Sequence, residues 1–142
     1  MITEKDIQKR LAEILTGNGF NVVASEVDEG FDKSAVFVMV YPSSTKLLTC
    51  GGATEEMTVT VEIQYISALE TVEDCIDATN KIKQIFLYKS FDIQDRHITV
   101  DEMEFEIEKT VLYVYFEISL IQAVDNAEDF EEIKDLIIKG VN

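Results

Sequence analysis

Two periods of apolar spacing divide this chain. Alternation of period two marks residues 57–65, where Val59, Val61, Ile63 and Tyr65 fall on one side of a strand and Thr58, Thr60, Glu62 and Gln64 on the other. That polar side suits water or a polar channel. Residues 111–121 alternate in the same way: Leu112, Val114, Phe116, Ile118 and Leu120 make a core face against Tyr113, Tyr115, Glu117, Ser119 and Ile121. Residues 35–41 are apolar on both faces, which predicts a central strand covered on each side or a strand with one face at a subunit contact. Pro42 closes it, since proline donates nothing to a ladder. Residues 20–27 and 98–107 read as two further strands, with 92–97 a polar connection and a tight turn at 108–110 making the last two strands antiparallel.

Helical spacing appears three times. Ile7, Leu11, Ile14 and Leu15 form the buried stripe of a first helix, with Thr3 as its N-cap, Asp6 completing a near capping box, and Gly17-Asn18-Gly19 ending it. A second helix over 70–89 starts at Thr71 and is traced by Val72, Ile76, Thr79, Ile82, Lys83 and Phe86, with Cys75 beside the apolar stripe. Residues 123–142 open on Asp125, Glu128, Asp129, Glu131 and Glu132 and continue as a short amphipathic helix with Phe130, Ile133, Leu136 and Ile137 on one face; its early acids and later lysines match the helix dipole. The expectation is an α+β fold in a single domain, 1–142, with a mainly antiparallel or mixed sheet of about five strands. An N-terminal helix, a central helix packed on the sheet and a short C-terminal helix complete it.

Charge narrows the partners. Twenty-eight acidic against twelve basic residues give a net charge of −16, a field that repels phosphate backbones and anionic lipid, so direct nucleic-acid or membrane binding is not expected. From 101 to 142 there are 12 carboxylates against Lys109, Lys134 and Lys139, so the carboxyl third is the negative pole. Apolar runs are far shorter than the ~20 residues that cross a bilayer. The first residues carry no export or transit pattern, which predicts a protein that stays in the cytoplasm where it is made.

The motif search returns no catalytic signature. One histidine, His97, at a strand entrance beside Arg96, supports neither a His-rich metal site nor a paired acid/base mechanism, and reads as structural. Cys50 and Cys75 have no CxxC spacing and read as reduced thiols, and nothing around Cys50-Gly51-Gly52 lowers a thiol pKa. No phosphate-binding, dinucleotide-binding, nucleophile-elbow or zinc-protease motif occurs. The acids at 125–129 lack the spacing and central glycine of a calcium loop. The expectation is no enzyme, no metal and no cofactor.

The positive signals are surfaces. Glu102, Glu104, Glu106 and Glu108 share one face of a strand, with Met103, Phe105 and Ile107 on the other. A solvated outer face is the plain reading of that acidic row. Tyr113, Tyr115 and Ile121 are more apolar than open solvent requires, and tyrosine is enriched at interfaces; helix cover within the subunit is the alternative. The 42–54 loop is long for a hairpin and carries Leu47 and Leu48 between polar and glycine-rich flanks, either as an interaction arm with the leucines as anchors or as a plain surface loop.

The order of these segments resembles the tail terminator proteins of long-tailed bacteriophages and prophages. The likeness rests on an acidic turn at 26–31 (Glu-Val-Asp-Glu-Gly-Phe), the apolar strand 35–41, the loop 42–54, and a strand ending Ile63-Gln64-Tyr65, and it continues through the amphipathic helix and the final hairpin. The resemblance implies a non-enzymatic virion structural protein. It would assemble as a ring, hexameric in the family's better understood members, on the end of the tail tube, stop tube polymerisation and present the surface that joins the head. The implied partners are further copies of the chain, the tail tube protein and a head-completion or neck protein. The implied place is the host cytoplasm during assembly and then the virion tail. In a ring, the glutamate row would line the lumen through which DNA passes, and Tyr113, Tyr115, Ile121, Leu47 and Leu48 are the candidates for subunit or tube contact. The rival readings are another head-to-tail joining protein and a small acidic chaperone-like homodimer.

Overall fold

A computed structural model describes residues 1–23, 34–48 and 53–124. Helix α1 (Glu4–Gly17) begins at a complete capping box: the Thr3 hydroxyl accepts from the Asp6 N–H, and the Asp6 carboxylate accepts from the Thr3 N–H at 2.9 Å. Two amides at its end turn back, Gly19 N–H to the Thr16 carbonyl and Phe20 N–H to the Leu15 carbonyl, each at 3.1 Å. That is a Schellman closure, and it needs the left-handed residue that Gly19 supplies at φ 92°. Ile7, Leu11 and Leu15 are fully buried.

Three long or middle-length antiparallel pairings build the main sheet in the order β1-β2-β6-β5. The strands are β1 (Ala35–Leu47), β2 (Thr54–Ile66), β5 (Glu104–Glu108) and β6 (Val111–Ala123), while β3 (Phe91–Ile93) and β4 (Arg96–Ile98) pair only with each other. The fold is α+β. Helix α2 (Val72–Ile82) starts at Thr71, whose hydroxyl accepts from the Asp74 N–H, and runs into a π-helical turn, Lys83–Leu87. That wider turn places Phe86 in the core, 5.2 Å from the Phe91 ring and 5.6 Å from Phe116.

Both helices pack on one face of the sheet. Val36 and Val38 of β1, Val59, Val61 and Ile63 of β2, and Leu112, Val114, Phe116 and Ile118 of β6 meet Ile7, Leu11, Leu15, Cys75, Ile82 and Phe86 in one cluster. Each fully buried branched or aromatic side chain there contributes roughly 1.5–3 kcal/mol relative to exposure. Beside the cluster the Asp74 carboxylate accepts from the Tyr65 hydroxyl at 2.8 Å and the Ser67 hydroxyl at 2.6 Å, so the start of α2 is bonded to the end of β2.

Several sequence expectations need correction. The apolar strand at 35–41 is the outermost named strand of the sheet rather than a central one: the following hairpin pairs it with β2, and on its other side, among the described residues, only Val36 is bridged, to Val22; its two-sided burial is confined to Ala35, Val36, Phe37 and Val38. Pro42 does not end it. An edge strand has ladder positions that need no donor, and the register shifts by a bulge between Pro42 and Ser44, so β1 runs on to Leu47 and the expected 42–54 loop contracts to 48–53. Of the strand expected at 20–27, Val22 makes an isolated parallel bridge to Val36, and 24–33 lie outside the described residues. The strand expected over 98–107 is divided into β4 and β5, and the connection expected at 92–97 is the turn of the β3–β4 hairpin, with Gln94 at φ 53°. The second helix is shorter than 70–89, and the strands number six among the described residues. The acidic C-terminal helix, Cys50 and the 26–31 turn fall outside the described residues.

Candidate assembly surface

The face of the sheet turned away from the helices follows from register. Because partners across a ladder share a face, β1, β2, β6 and β5 set Met39, Glu62, Tyr115 and Glu104 in one row, and Phe37, Gln64, Tyr113 and Glu106 in the next. Farther along come Tyr41, Thr60 and Glu117, then Ser44, Thr58 and Ser119, then Lys46, Glu56 and Ile121. Glutamates outnumber lysines on this face, with Glu56, Glu62, Glu104, Glu106, Glu108 and Glu117 against Lys46. The two surfaces singled out from sequence, the glutamate row and the tyrosine strand face, are therefore one surface.

Its polar groups are partly engaged with each other. Tyr41 donates to the Glu62 carboxylate at 3.4 Å, and the Thr58 and Ser119 hydroxyls are 2.8 Å apart. Burial holds the Tyr115 phenol above the ordinary tyrosine pKa, with the charge and hydrogen bond of Glu62 and the charge of Glu106 adding to the shift. Tyr113 and Tyr115 are half-buried by this packing of phenols among carboxylates, while Glu104, Glu106 and Glu108 stay exposed. Among the described residues no helix packs over them.

Glu102 lies before β5 rather than on it, exposed beside Asp101. The β5–β6 ladder stops at Glu104 opposite Tyr115, and β6 continues beyond it. There Asp101, Glu102, Glu104 and Glu117 border an open depression of about 640 Å³ floored by Thr60 and Tyr115. Among the described residues no group of three or more histidine, cysteine, aspartate or glutamate side chains is arranged to hold a metal ion.

The far end of the sheet differs. Beyond Val40, β1 is exposed at every position to Leu47, and with the start of β2 it forms the outer end of a hairpin. Leu47 is 52% exposed and Leu48 41%, and Ile121 is 49% exposed on the neighbouring rows. Tyr41, missed from sequence because it ends an apolar run, is 47% exposed between this tip and the acidic rows. Glu62 and Glu117 were missed as site residues as well; the signal that finds them is the polar side of two alternating strands set in register. His97 is exposed and bonded through Nδ1 to Asp92 at 2.8 Å, a surface contact within the β3–β4 hairpin.

Among the described residues a layer of helices lies on one side of the sheet and an acidic face on the other, with no group of side chains arranged to hold a metal ion. The sequence profile of the family described as phage tail terminator protein matches residues 4–129. The chain belongs to the phage tail terminator family. No curated protein matches it. Membership makes it a tail-completion structural protein of a phage particle, in a family of structural proteins rather than enzymes, that works with the tail and head-joining components in the virion tail. Among the described residues no helix is long and apolar enough to cross a membrane.

Proposed function

We propose that this tail terminator caps the finished tail tube as a ring of identical subunits, and that the ring ends polymerisation and offers the surface to which the head is joined. The observation that carries the reading is the division of one sheet into a face rich in exposed glutamates and an exposed apolar hairpin tip, in a chain of this family. Copies that repel one another at −16 assemble slowly when free, and a contact formed only on the tube end makes capping conditional.

Within the ring, the face bearing Glu104, Glu106, Glu108 and Glu117 is assigned to the lumen, with Glu102 at its margin. A carboxylate wall repels phosphates, so DNA slides past it without being held. The tyrosines Tyr113 and Tyr115 then stiffen that wall and are withdrawn from the list of subunit contacts, since their phenols already sit among Glu62, Glu104 and Glu106. Leu47, Leu48 and Ile121 take the contact to a neighbouring subunit or to the tube.

The test is capping itself. Purified protein is added to tube protein polymerising in vitro, and tube lengths and ends are imaged with and without it. Shortened tubes bearing a terminal ring support the reading; tubes of unchanged length with bare ends, alongside binding to an isolated head connector, would assign the chain to the neck instead.

A further inference from the structure

We propose that the hairpin tip of one copy of this chain, Leu47 and Leu48 with Lys46 beside them, docks on the outer face of α2 of the next copy, on Leu69, Val72 and Ile76, so that copies join head to tail. The inference rests on the reading that the leucines take a contact to a neighbouring subunit, and it names what they meet there.

The receiving surface is an apolar stripe that the fold leaves over. Helix α2 buries Cys75, Ala78 and Ile82. Val72 and Ile76 lie four residues apart, share another face of the helix and are each about half exposed; Leu69, in the turn before the Thr71 cap, is more exposed still. None of the three belongs to the core cluster. Neighbouring apolar side chains rimmed by polar ones mark a contact, where scattered single ones do not.

Charge selects a second copy as the occupant. Between 69 and 80 there are four carboxylates and no cation. The Asp74 carboxylate is taken up by Tyr65 and Ser67, while Glu70, Glu73 and Asp77 are exposed and form no ion pair among the described residues. The stripe therefore suits apolar side chains with a cation next to them. The hairpin tip has that composition: Lys46 is exposed beside Leu47 and also forms no ion pair among the described residues. On the facing strand Glu56 is half-buried, and Glu55 is already bonded to Gln122.

Placement makes the contact one between copies. Leu47 pairs with Glu55 at one end of the β1–β2 ladder, and Ala35 pairs with Ile66 at the other, from which the chain passes into α2. From Glu55 to Ile66 the strand spans roughly 35 Å, so tip and stripe do not meet within one subunit. A contact between two different patches of identical subunits runs head to tail, and where the rotation between copies closes it gives a ring with neither patch left over.

Two variants that each lose one half of the contact test it on free protein. Leu47→Asp with Leu48→Asp keeps the stripe, and Val72→Asp with Ile76→Asp keeps the tip; amide dispersion of the core residues confirms that each is folded. With the first variant isotope-labelled, addition of the second to about 1 mM is expected to shift the amide signals of 69–80, and with the labels exchanged those of 44–48. Sedimentation of the mixture stops at a pair, whereas each variant alone stays monomeric and wild type grows past the pair at the same concentration. Lys46→Glu in the tip-bearing variant weakens the titration about threefold or more at low salt, and Glu73→Lys with Asp77→Lys in the stripe-bearing one restores it. That charge swap in otherwise wild-type chains carries the same test without touching an apolar residue. Absence of shifts at 69–80, or shifts centred on the open sheet face, overturns the proposal. Self-association of the stripe-bearing variant through 69–80 overturns it as well, by pairing the stripe with its own kind. Shifts at 69–80 on addition of tube protein, with none from the second variant, overturn it and give the stripe to the tube. Tube capping by wild type is scored separately, so a failure of the functional reading and a failure of this contact are told apart.

Discussion

Gln122 grips the backbone of Ile2 from both sides: the Ile2 N–H donates to Oε1 at 2.8 Å, and Nε2 donates to the Ile2 carbonyl at 3.0 Å. Nε2 also donates to Glu55 on the neighbouring strand at 3.1 Å. The residue is buried, so its amide satisfies groups that water does not reach. It thereby fastens the start of α1 to the end of the sheet.

Replacing Gln122 with alanine leaves the two Ile2 backbone groups without that partner, and the expected loss is about 2–4 kcal/mol, from the cost of unsatisfied buried groups. Urea unfolding measures it. Gln122→Glu keeps an acceptor but removes the donor and sets a second carboxylate beside Glu55, so its proton is held more tightly in the folded state than in the unfolded chain. That variant recovers stability as pH falls through the carboxyl range, where wild type does not. A Gln122→Ala protein as stable as wild type would remove the clamp from this account.

Alkaline pH probes the acidic face. The folded pKa of Tyr115 is raised above 10.0 by burial and then by Glu62 and Glu106, and that of Tyr65 is raised chiefly by burial, with Asp74 adding to it. A phenol that keeps its proton longer in the folded state contributes stability present below the unfolded pKa and lost as pH rises through the folded one. Stability is therefore expected to fall above about pH 10, and Glu62→Gln, by removing the charge next to Tyr115, to make that fall shallower. Chemical denaturation at a series of pH values, with the tyrosinate absorbance followed in parallel, tests both; an identical slope in the variant counts against coupling of Tyr115 to Glu62.

The elements legible in the sequence were those whose pattern has one physical cause. α1 declared itself through Thr3, Asp6 and the glycine-flanked Asn18, and β2 and β6 through strict alternation over a one-sided core. What escaped were choices made between segments. The apolar run at 35–41 is buried on both faces only near its start, and nothing local distinguishes an edge strand so covered from a central one. Pro42 stops a central strand but is tolerated at an edge beside a bulge, so the rest of β1 was hidden. The same blindness separated the glutamate row from the tyrosines: each was visible on its own strand, and it takes the pairing of Glu104 with Tyr115 and of Glu106 with Tyr113 to join them.

Charge reversal on that joined face has a distinct signature. Glu104→Lys with Glu106→Lys turns two exposed carboxylates into cations next to the half-buried tyrosines. The expected outcome is measurable DNA binding that weakens steeply with added salt, where wild type shows none at the same concentration, because only cations release counterions from the phosphate backbone. Fluorescence anisotropy with a short duplex reads it. Glu104→Gln with Glu106→Gln separates the two effects: it lowers repulsion without adding attraction, and should leave DNA binding undetected while easing assembly at low salt.

The hairpin tip gives the sharpest test of the proposed contact, because stability and assembly separate there. Leu47 and Leu48 are about half exposed and make no part of the core cluster, so Leu47→Asp and Leu48→Asp should each change folding stability by no more than about 0.5 kcal/mol. If the leucines are buried in a subunit or tube contact, the same changes insert a carboxylate into an apolar site, and a single desolvated anchor of this kind is worth about 2 kcal/mol or more at an interface. That corresponds to at least a 30-fold weaker association by the usual conversion of about 1.4 kcal/mol per factor of ten. The expected pair of results is an unchanged urea midpoint and a loss of tube capping at concentrations where wild type caps fully. Lys46→Glu, one residue away but on the acidic face beside Glu56, supplies the control: it raises repulsion without touching the leucine contact, so its effect should disappear at high salt while that of Leu47→Asp persists. Full capping by both leucine variants would move the contact away from this hairpin.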